Sequence, residues 1–245
     1  MKLQTITTLE LSNICNLSCK YCINRLIPSV SCRTPGIMTD NAFVRSCDLI
    51  QKLCDKGTQR EIFLNGNGES LLDPKIIERI GIIREIMGKD RQIGLSTNGL
   101  LIDENMTRKL SASGLSRLDI SCHSPYHTRR AAHLLTRVGM QGIVSFGAIL
   151  QSHNWAGQLE PENTIDCKLN NICDPLIEGR GYILCEGNIT PCCYDYRNLG
   201  VFGTVFAIDK ALDAEVRAYQ LCETCHQRIP EYLLKENNMM QVKRS

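Results

Sequence analysis

Apolar and polar positions along the first 150 residues switch repeatedly between a two-residue and a 3.6-residue period. Strands are predicted over Thr5–Leu11, Glu61–Asn65, Gln92–Ser96, Arg117–Cys122 and Ile143–Leu150. Helices are predicted over Asp40–Lys56, Pro74–Met87, Asp103–Ala112 and His127–Val138. Thr39 or Asp40 stands where the first of these needs a cap. Asp73-Pro74 supplies a capping residue followed by proline at the first helical position, and Gly139 closes the last helix. Strands alternating with helices imply parallel pairing through helical crossovers. The expected fold is therefore α/β, a partial (β/α) barrel of about five parallel strands, since a closed eight-stranded barrel uses about 250 residues.

Strand parity assigns faces. Leu118, Ile120 and Cys122 share one face of the fourth strand, and Asp119, Ser121 and His123 the other. Leu9 and Leu11 oppose Glu10 and Ser12 in the first strand, and Ile62 and Leu64 oppose Phe63 and Asn65 in the second. The apolar set should face the helices. The polar set should line a cavity whose working end lies at the C-terminal strand ends.

The pattern changes after residue 150. The chain divides into the barrel over 1–150, a polar linker or lid over 151–172, and a small α+β unit over 173–245. That last unit should hold a hairpin, Tyr182–Cys185 and Ile189–Thr190 about a Glu186-Gly187-Asn188 turn, and a helix over Asp213–Tyr219. The tail from Lys235 is polar.

Net charge is +2 with both signs interspersed, which gives no basic stripe for duplex nucleic acid. No apolar run reaches the roughly 20 residues that span a membrane. The first residues lack the apolar core of a signal peptide, so a cytoplasmic location is expected. Fourteen cysteines fall mostly into close groups toward the two ends, a distribution that fits metal binding better than disulfides.

The most telling group is Cys15, Cys19 and Cys22, spaced CxxxCxxC just after the first strand. Three thiolates on one loop can hold three irons of a [4Fe–4S] cluster and leave the fourth open to a small molecule. Zinc usually takes four nitrogen or sulfur ligands, and no histidine stands nearby in sequence.

With these cysteines so placed, the first domain resembles the radical S-adenosylmethionine (SAM) superfamily. Tyr21 matches the aromatic before the third cysteine. Gly66-Asn67-Gly68-Glu69 is similar to the motif that holds the SAM amino group, with Asn67 in place of a glycine. Ser96-Thr97-Asn98 is similar to the segment contacting ribose and carboxylate, and Ile149 to the apolar neighbour of adenine. The resemblance implies an open-iron [4Fe–4S] cluster, SAM, and a flavodoxin- or ferredoxin-like reductant. The second unit resembles the SPASM/twitch extensions. That likeness implies a second, auxiliary [4Fe–4S] cluster on Cys173, Cys192, Cys222 and Cys225, with Cys193, Cys167 or Cys185 as substitutes. In length and layout the chain is most similar to the 2-deoxy-scyllo-inosamine dehydrogenase type.

Three reactions stand open at this level. A dehydrogenase would remove hydrogen from a small polar substrate, with His123, Asp119 or Glu10 as base and the auxiliary cluster as electron acceptor. An isomerase or epimerase acting on a nucleoside, sugar, amino-acid derivative or peptide would need a hydrogen donor; seven cysteines remain unassigned, Cys32, Cys47, Cys54, Cys122, Cys167, Cys185 and Cys193, and parity turns Cys122 toward the helices, which argues against it as donor. A non-catalytic electron carrier would need no SAM pocket. Arg129 and Arg130 could meet an anionic group or simply form a solvated helix face.

Overall fold

The computed structural model describes residues 1–19, 22–26, 33–122, 125–146, 171–219, 222 and 229–230. Five parallel strands form in the expected order: β1 (Thr5–Leu9), β2 (Glu61–Leu64), β3 (Gln92–Thr97), β4 (Arg117–Cys122) and β5 (Val144–Phe146). Between them run the helices α2 (Asp40–Asp55), α3 (Ile76–Met87), α4 (Glu104–Ala112) and α5 (Pro125–Val138). A short α1 (Ile23–Leu26) follows the cysteine loop. Each crossover helix packs on the next, α2 on α3, α3 on α4 and α4 on α5, so they form one outer layer.

Local chemistry fixes these boundaries. Thr39 Oγ1 accepts the Ala42 N–H at 3.2 Å and starts α2, and Asp103 Oδ1 accepts the Met106 N–H at 2.7 Å and starts α4. Asp73 instead accepts the Lys75 N–H at 2.9 Å in a turn, so α3 begins at Ile76, two residues after the expected Pro74 start, with Lys75 at its N-cap and no side-chain cap. The apolar faces do what parity requires: Leu9, Leu64, Leu95, Leu118 and Ile120 are buried in one continuous core. Thr7 is skipped in the pairing of β1 with the strand over Arg180–Ile183, and Ile6 and Leu9, on either side of this irregularity, are both buried in the core.

The sheet does not stop at five strands. After β6 (Asn171–Ile172) and α6 (Asp174–Ile177), strand β7 (Arg180–Ile183) adds parallel to β1. The strands β8 (Asn188–Thr190) and β9 (Gly203–Thr204) then continue it antiparallel, in the order β5-β4-β3-β2-β1-β7-β8-β9. The expected hairpin therefore exists, as an extension of the barrel sheet. A two-residue β10 (Ile229–Pro230) pairs with β6. Most of the expected linker, 151–170, lies outside the described residues.

One expectation is corrected. The helix predicted over Asp213–Tyr219 is instead α7 (Ile208–Asp213), followed by extended chain. Glu215 bridges to Lys2, the Val216 N–H donates to the Met1 carbonyl at 2.6 Å, and Val216 is buried. Backbone pairing with the N-terminus outcompetes the weak helical pattern there. Among the described residues no helix is long and apolar enough to cross a membrane.

Candidate active site

Three segments meet at the C-terminal ends of β1, β2 and β3: the cysteine loop, the Gly66–Glu69 loop, and Ser96–Asn98 at the end of β3. Glu69 is the hub. It is only 2% exposed. Its Oε1 accepts the Leu71 N–H at 3.0 Å and the Thr97 hydroxyl at 2.8 Å, and its Oε2 accepts the Asn98 N–H at 2.8 Å. Its own N–H donates to the Ile14 carbonyl at 2.8 Å. Asn98 continues the chain: Nδ2 donates to Asn16 Oδ1 at 2.7 Å, inside the cysteine loop. Thus one hydrogen-bonded path joins three segments far apart in sequence.

A carboxylate offers about four acceptor positions, and protein donors fill three at Glu69. Among the described residues no basic side chain forms an ion pair with it. A buried carboxylate without a cation is costly unless a ligand supplies the charge.

The glycines flanking Asn67 are dictated by close packing. A Cβ on Gly66 would stand 2.3 Å from Glu10 Cγ, and one on Gly68 2.3 Å from the Ser12 carbonyl oxygen and 2.6 Å from that of Ile14. Asn67 lies between them. Its N–H donates to Glu10 Oε1 at 2.8 Å, and its carbonyl accepts from Asn24 Nδ2.

Cys15 Sγ accepts the Leu17 N–H at 3.4 Å. Cys15 and Cys22 both border a cavity of about 310 Å³ shared with Thr8, Asn65, Gly66–Gly68, Tyr182 and Cys193. They also border a second cavity, of about 420 Å³, beside Arg33 and Tyr196. No three His, Cys, Asp or Glu side chains among the described residues converge on one ion. A cubane presents separate irons at separate corners, so its thiolates need not converge, and the space and the N–H···S donor suit such a cluster.

Expected bases fare unequally. Four donors surround the Glu10 carboxylate. Arg33 Nη1 and the Asn67 N–H occupy Oε1 at 3.4 and 2.8 Å, while Arg33 Nη2 and the Cys185 N–H, at 3.0 Å, occupy Oε2. Asp119 stays on the inward face of β4, where Arg117 Nε meets both oxygens at 2.9 and 3.0 Å and the Ile143 N–H donates to Oδ1. The Arg117 guanidinium lies 5.9 Å from the Phe63 ring centre. Ser96 is half-buried opposite Asp119. His123, Ile149, Tyr21 and Cys225 lie outside the described residues.

In the second unit Cys192 and Cys222 pack with Leu176 and Tyr194. Cys192 Sγ accepts the Tyr194 N–H at 3.4 Å, Cys222 Sγ the Tyr219 N–H at 3.5 Å, and Cys173 leads into α6, which carries Leu176. Buried Asp195 anchors this loop through the Thr190 hydroxyl and the Leu199 and Gly200 N–H groups. Cys193 instead borders the 310 Å³ cavity. Cys185 points toward the Gly36 carbonyl, away from this group. Burial pushes the Cys185 and Cys47 thiols up to about 12, as suits core residues.

Sequence reasoning missed Arg33, Asn24 and Asn16. Arg33 sits in a segment without periodicity, and only its length of travel from Cys22 back to α2 hints that it covers the site.

Comparison with known proteins gives a consistent result. A family model described as the radical SAM superfamily matches residues 9–160. A protein of Methanocaldococcus jannaschii described as "Probable GTP 3',8-cyclase" is 34% identical over 113 residues, 46% of this chain and 34% of that protein. The GTP 3',8-cyclase of a Synechococcus species is 32% identical over 124 residues, 47% and 33% respectively. The match spans about a third of the length of these relatives. The structure of BtrN in complex with AdoMet and 2-DOIA superposes with a TM-score of 0.68 at 18% identity, covering 87% of this chain and 85% of that one.

Proposed function

This chain belongs to the radical SAM superfamily, and from that premise we propose that Cys15, Cys19 and Cys22 hold a [4Fe–4S] cluster and that Gly66–Glu69 and Ser96–Asn98 bind SAM beside it. The observation that carries this reading is the hydrogen-bonded path Glu69–Asn98–Asn16, which fixes the two SAM loops to the cysteine loop. When bound, the cluster and SAM supply a 5′-deoxyadenosyl radical that takes a hydrogen atom from substrate. Glu69 offers its remaining acceptor position to an ammonium group. Gly66 and Gly68 let the backbone approach closely, and Tyr21 and Ile149 belong to the same proposed pocket.

The finer reading is a dehydrogenation of a small substrate bearing hydroxyl or amino groups. One hydrogen leaves carbon as an atom, a proton leaves to a base, and Cys173, Cys192, Cys222 and Cys225 hold a second [4Fe–4S] cluster as acceptor of the remaining electron. Asp119 and His123 remain the candidate bases. Support comes from the shared fold with BtrN and from the thiols grouped around Leu176. A small flavodoxin- or ferredoxin-like protein would deliver the first electron.

A redox-neutral rearrangement is the second reading, favoured by the identity to the GTP 3',8-cyclases. The test is anaerobic reconstitution, iron counting, and turnover with deuterated candidates. About eight irons per chain and one oxidised product per 5′-deoxyadenosine support the dehydrogenase. About four irons remove the second cluster, and a product of unchanged oxidation level selects the rearrangement.

A further inference from the structure

We infer that Asn98 is a positioning residue for the cluster itself, donating an N–H···S hydrogen bond to Cys15 and thereby raising the cluster's reduction potential. The inference rests on Cys15, Cys19 and Cys22 being the ligands proposed above.

Asn98 follows Thr97 at the end of β3, and its backbone is fixed by the bond from its N–H to Glu69 Oε2. Its carboxamide has one allowed orientation. The Leu100 N–H donates to Oδ1 at 3.0 Å, so Oδ1 is committed to the turn and the NH₂ group must face the cysteine loop. There Nδ2 lies 2.7 Å from Asn16 Oδ1 and 3.8 Å from Cys15 Sγ. One amide hydrogen serves each partner. The same sulfur receives the Leu17 N–H at 3.4 Å.

Reduction adds negative charge to a cluster, and much of that charge resides on sulfur. A donor aimed at a thiolate sulfur stabilises the reduced form more than the oxidised form. Leu17 makes its contribution through its backbone N–H, which side-chain truncation leaves in place. Asn98 makes its own through a side chain, which truncation removes. The resemblance implies a contact between Asn98 and SAM, which would also reduce activity when lost. The two roles separate only where SAM is absent.

The experiment uses the full chain with Cys192→Ala, Cys193→Ala, Cys222→Ala and Cys225→Ala, which leaves the N-terminal cluster as the one observed, reconstituted anaerobically without SAM. Midpoint potentials are read by redox titration followed by electron paramagnetic resonance. Asn98→Ala should shift the midpoint to more negative potential with iron content unchanged. Asn98→Asp, which replaces the donor by an anionic acceptor, should shift it further the same way. Asn16→Ala removes the brace to the cysteine loop but keeps the Asn98 donor available to Cys15, so its shift should be clearly smaller than that of Asn98→Ala. Equal midpoints for the parent and Asn98→Ala overturn the inference in favour of a SAM contact alone. Equal shifts in Asn16→Ala and Asn98→Ala, or folded Asn98 variants that take up no iron, overturn it in favour of a brace for the loop. If the parent itself binds no iron through Cys15, Cys19 and Cys22, the proposed function fails first, and that result is distinct from these.

Discussion

Arg33 Nε lies 2.7 Å from Glu186 Oε1, and that contact joins the cysteine-loop side of the barrel to the β7–β8 turn. The same guanidinium reaches Glu10 at the end of β1, and Glu10 in turn holds the Asn67 N–H. The Arg33 and Glu10 side chains are each 1% exposed and Glu186 is 31% exposed. Burial alone would lower the Arg33 value, but Glu186 and Glu10 outweigh it and keep the guanidinium charged. Arg33→Met leaves Glu10 buried without its cation. It should cost on the order of 3–5 kcal/mol of stability, read as a lower urea midpoint. Glu10→Gln added to Arg33→Met should restore part of the loss, because it removes the stranded charge.

The same contact predicts a pH dependence. Burial would raise the Glu186 carboxyl, yet the hydrogen bonds and charge of Arg33 hold it below the ordinary range. A carboxylate depressed in the folded state contributes stability that is full above its unfolded value of about 4.3, and loses it as pH falls through the folded value. The stability gap between parent and Arg33→Met should therefore be largest at neutral pH and narrow as pH falls through the carboxylate range. Urea unfolding of both proteins across that range measures it; a gap that widens in acid contradicts the assignment.

Glu69→Gln tests the hub. The substitution keeps shape but turns one oxygen into an NH₂ group that faces the donors now bonded to Glu69: the Leu71 N–H and Thr97 hydroxyl, or the Asn98 N–H. A lost charge-assisted bond plus an unpaired donor amounts to about 1–3 kcal/mol. SAM affinity should fall on the order of 10- to 100-fold in equilibrium dialysis, with iron content retained. Unchanged affinity would remove Glu69 from the SAM pocket.

The barrel strands and their faces are legible because β-branched runs, a cap such as Thr39 and simple parity all point the same way. The motifs themselves stand in the sequence, but the partners that the fold gives their residues do not. Glu10 reads as a polar inward residue, and only the fold shows Arg33, 23 positions away, occupying it. The β7 addition to β1 escaped notice for a related reason: it joins Thr5 to Arg180, and no local pattern encodes so distant a pairing. The misplaced helix after Asp213 failed because Val216 answers to Met1 and not to its own neighbours.

Two glycine substitutions separate close approach from mere helix chemistry. Gly68→Ala puts a methyl group 2.3 Å from the Ser12 carbonyl oxygen and 2.6 Å from that of Ile14, both backbone atoms, so no rotamer change relieves the clash. The segment Ser12–Ile14 leads directly into Cys15, and displacing it moves the first proposed ligand. Overpacking of this kind costs about 1–3 kcal/mol. Iron bound per chain after reconstitution should fall sharply, and SAM binding with it. Gly81, inside α3, has nothing within 4 Å of its added methyl group. Gly81→Ala should raise stability by about 0.5–1 kcal/mol through helix propensity and leave iron content at the parent value. Urea midpoints and iron counts on the two variants check both halves. Equal iron in Gly68→Ala and the parent would show that the cysteine loop tolerates displacement, and would loosen the link between Gly66–Glu69 and the cluster site.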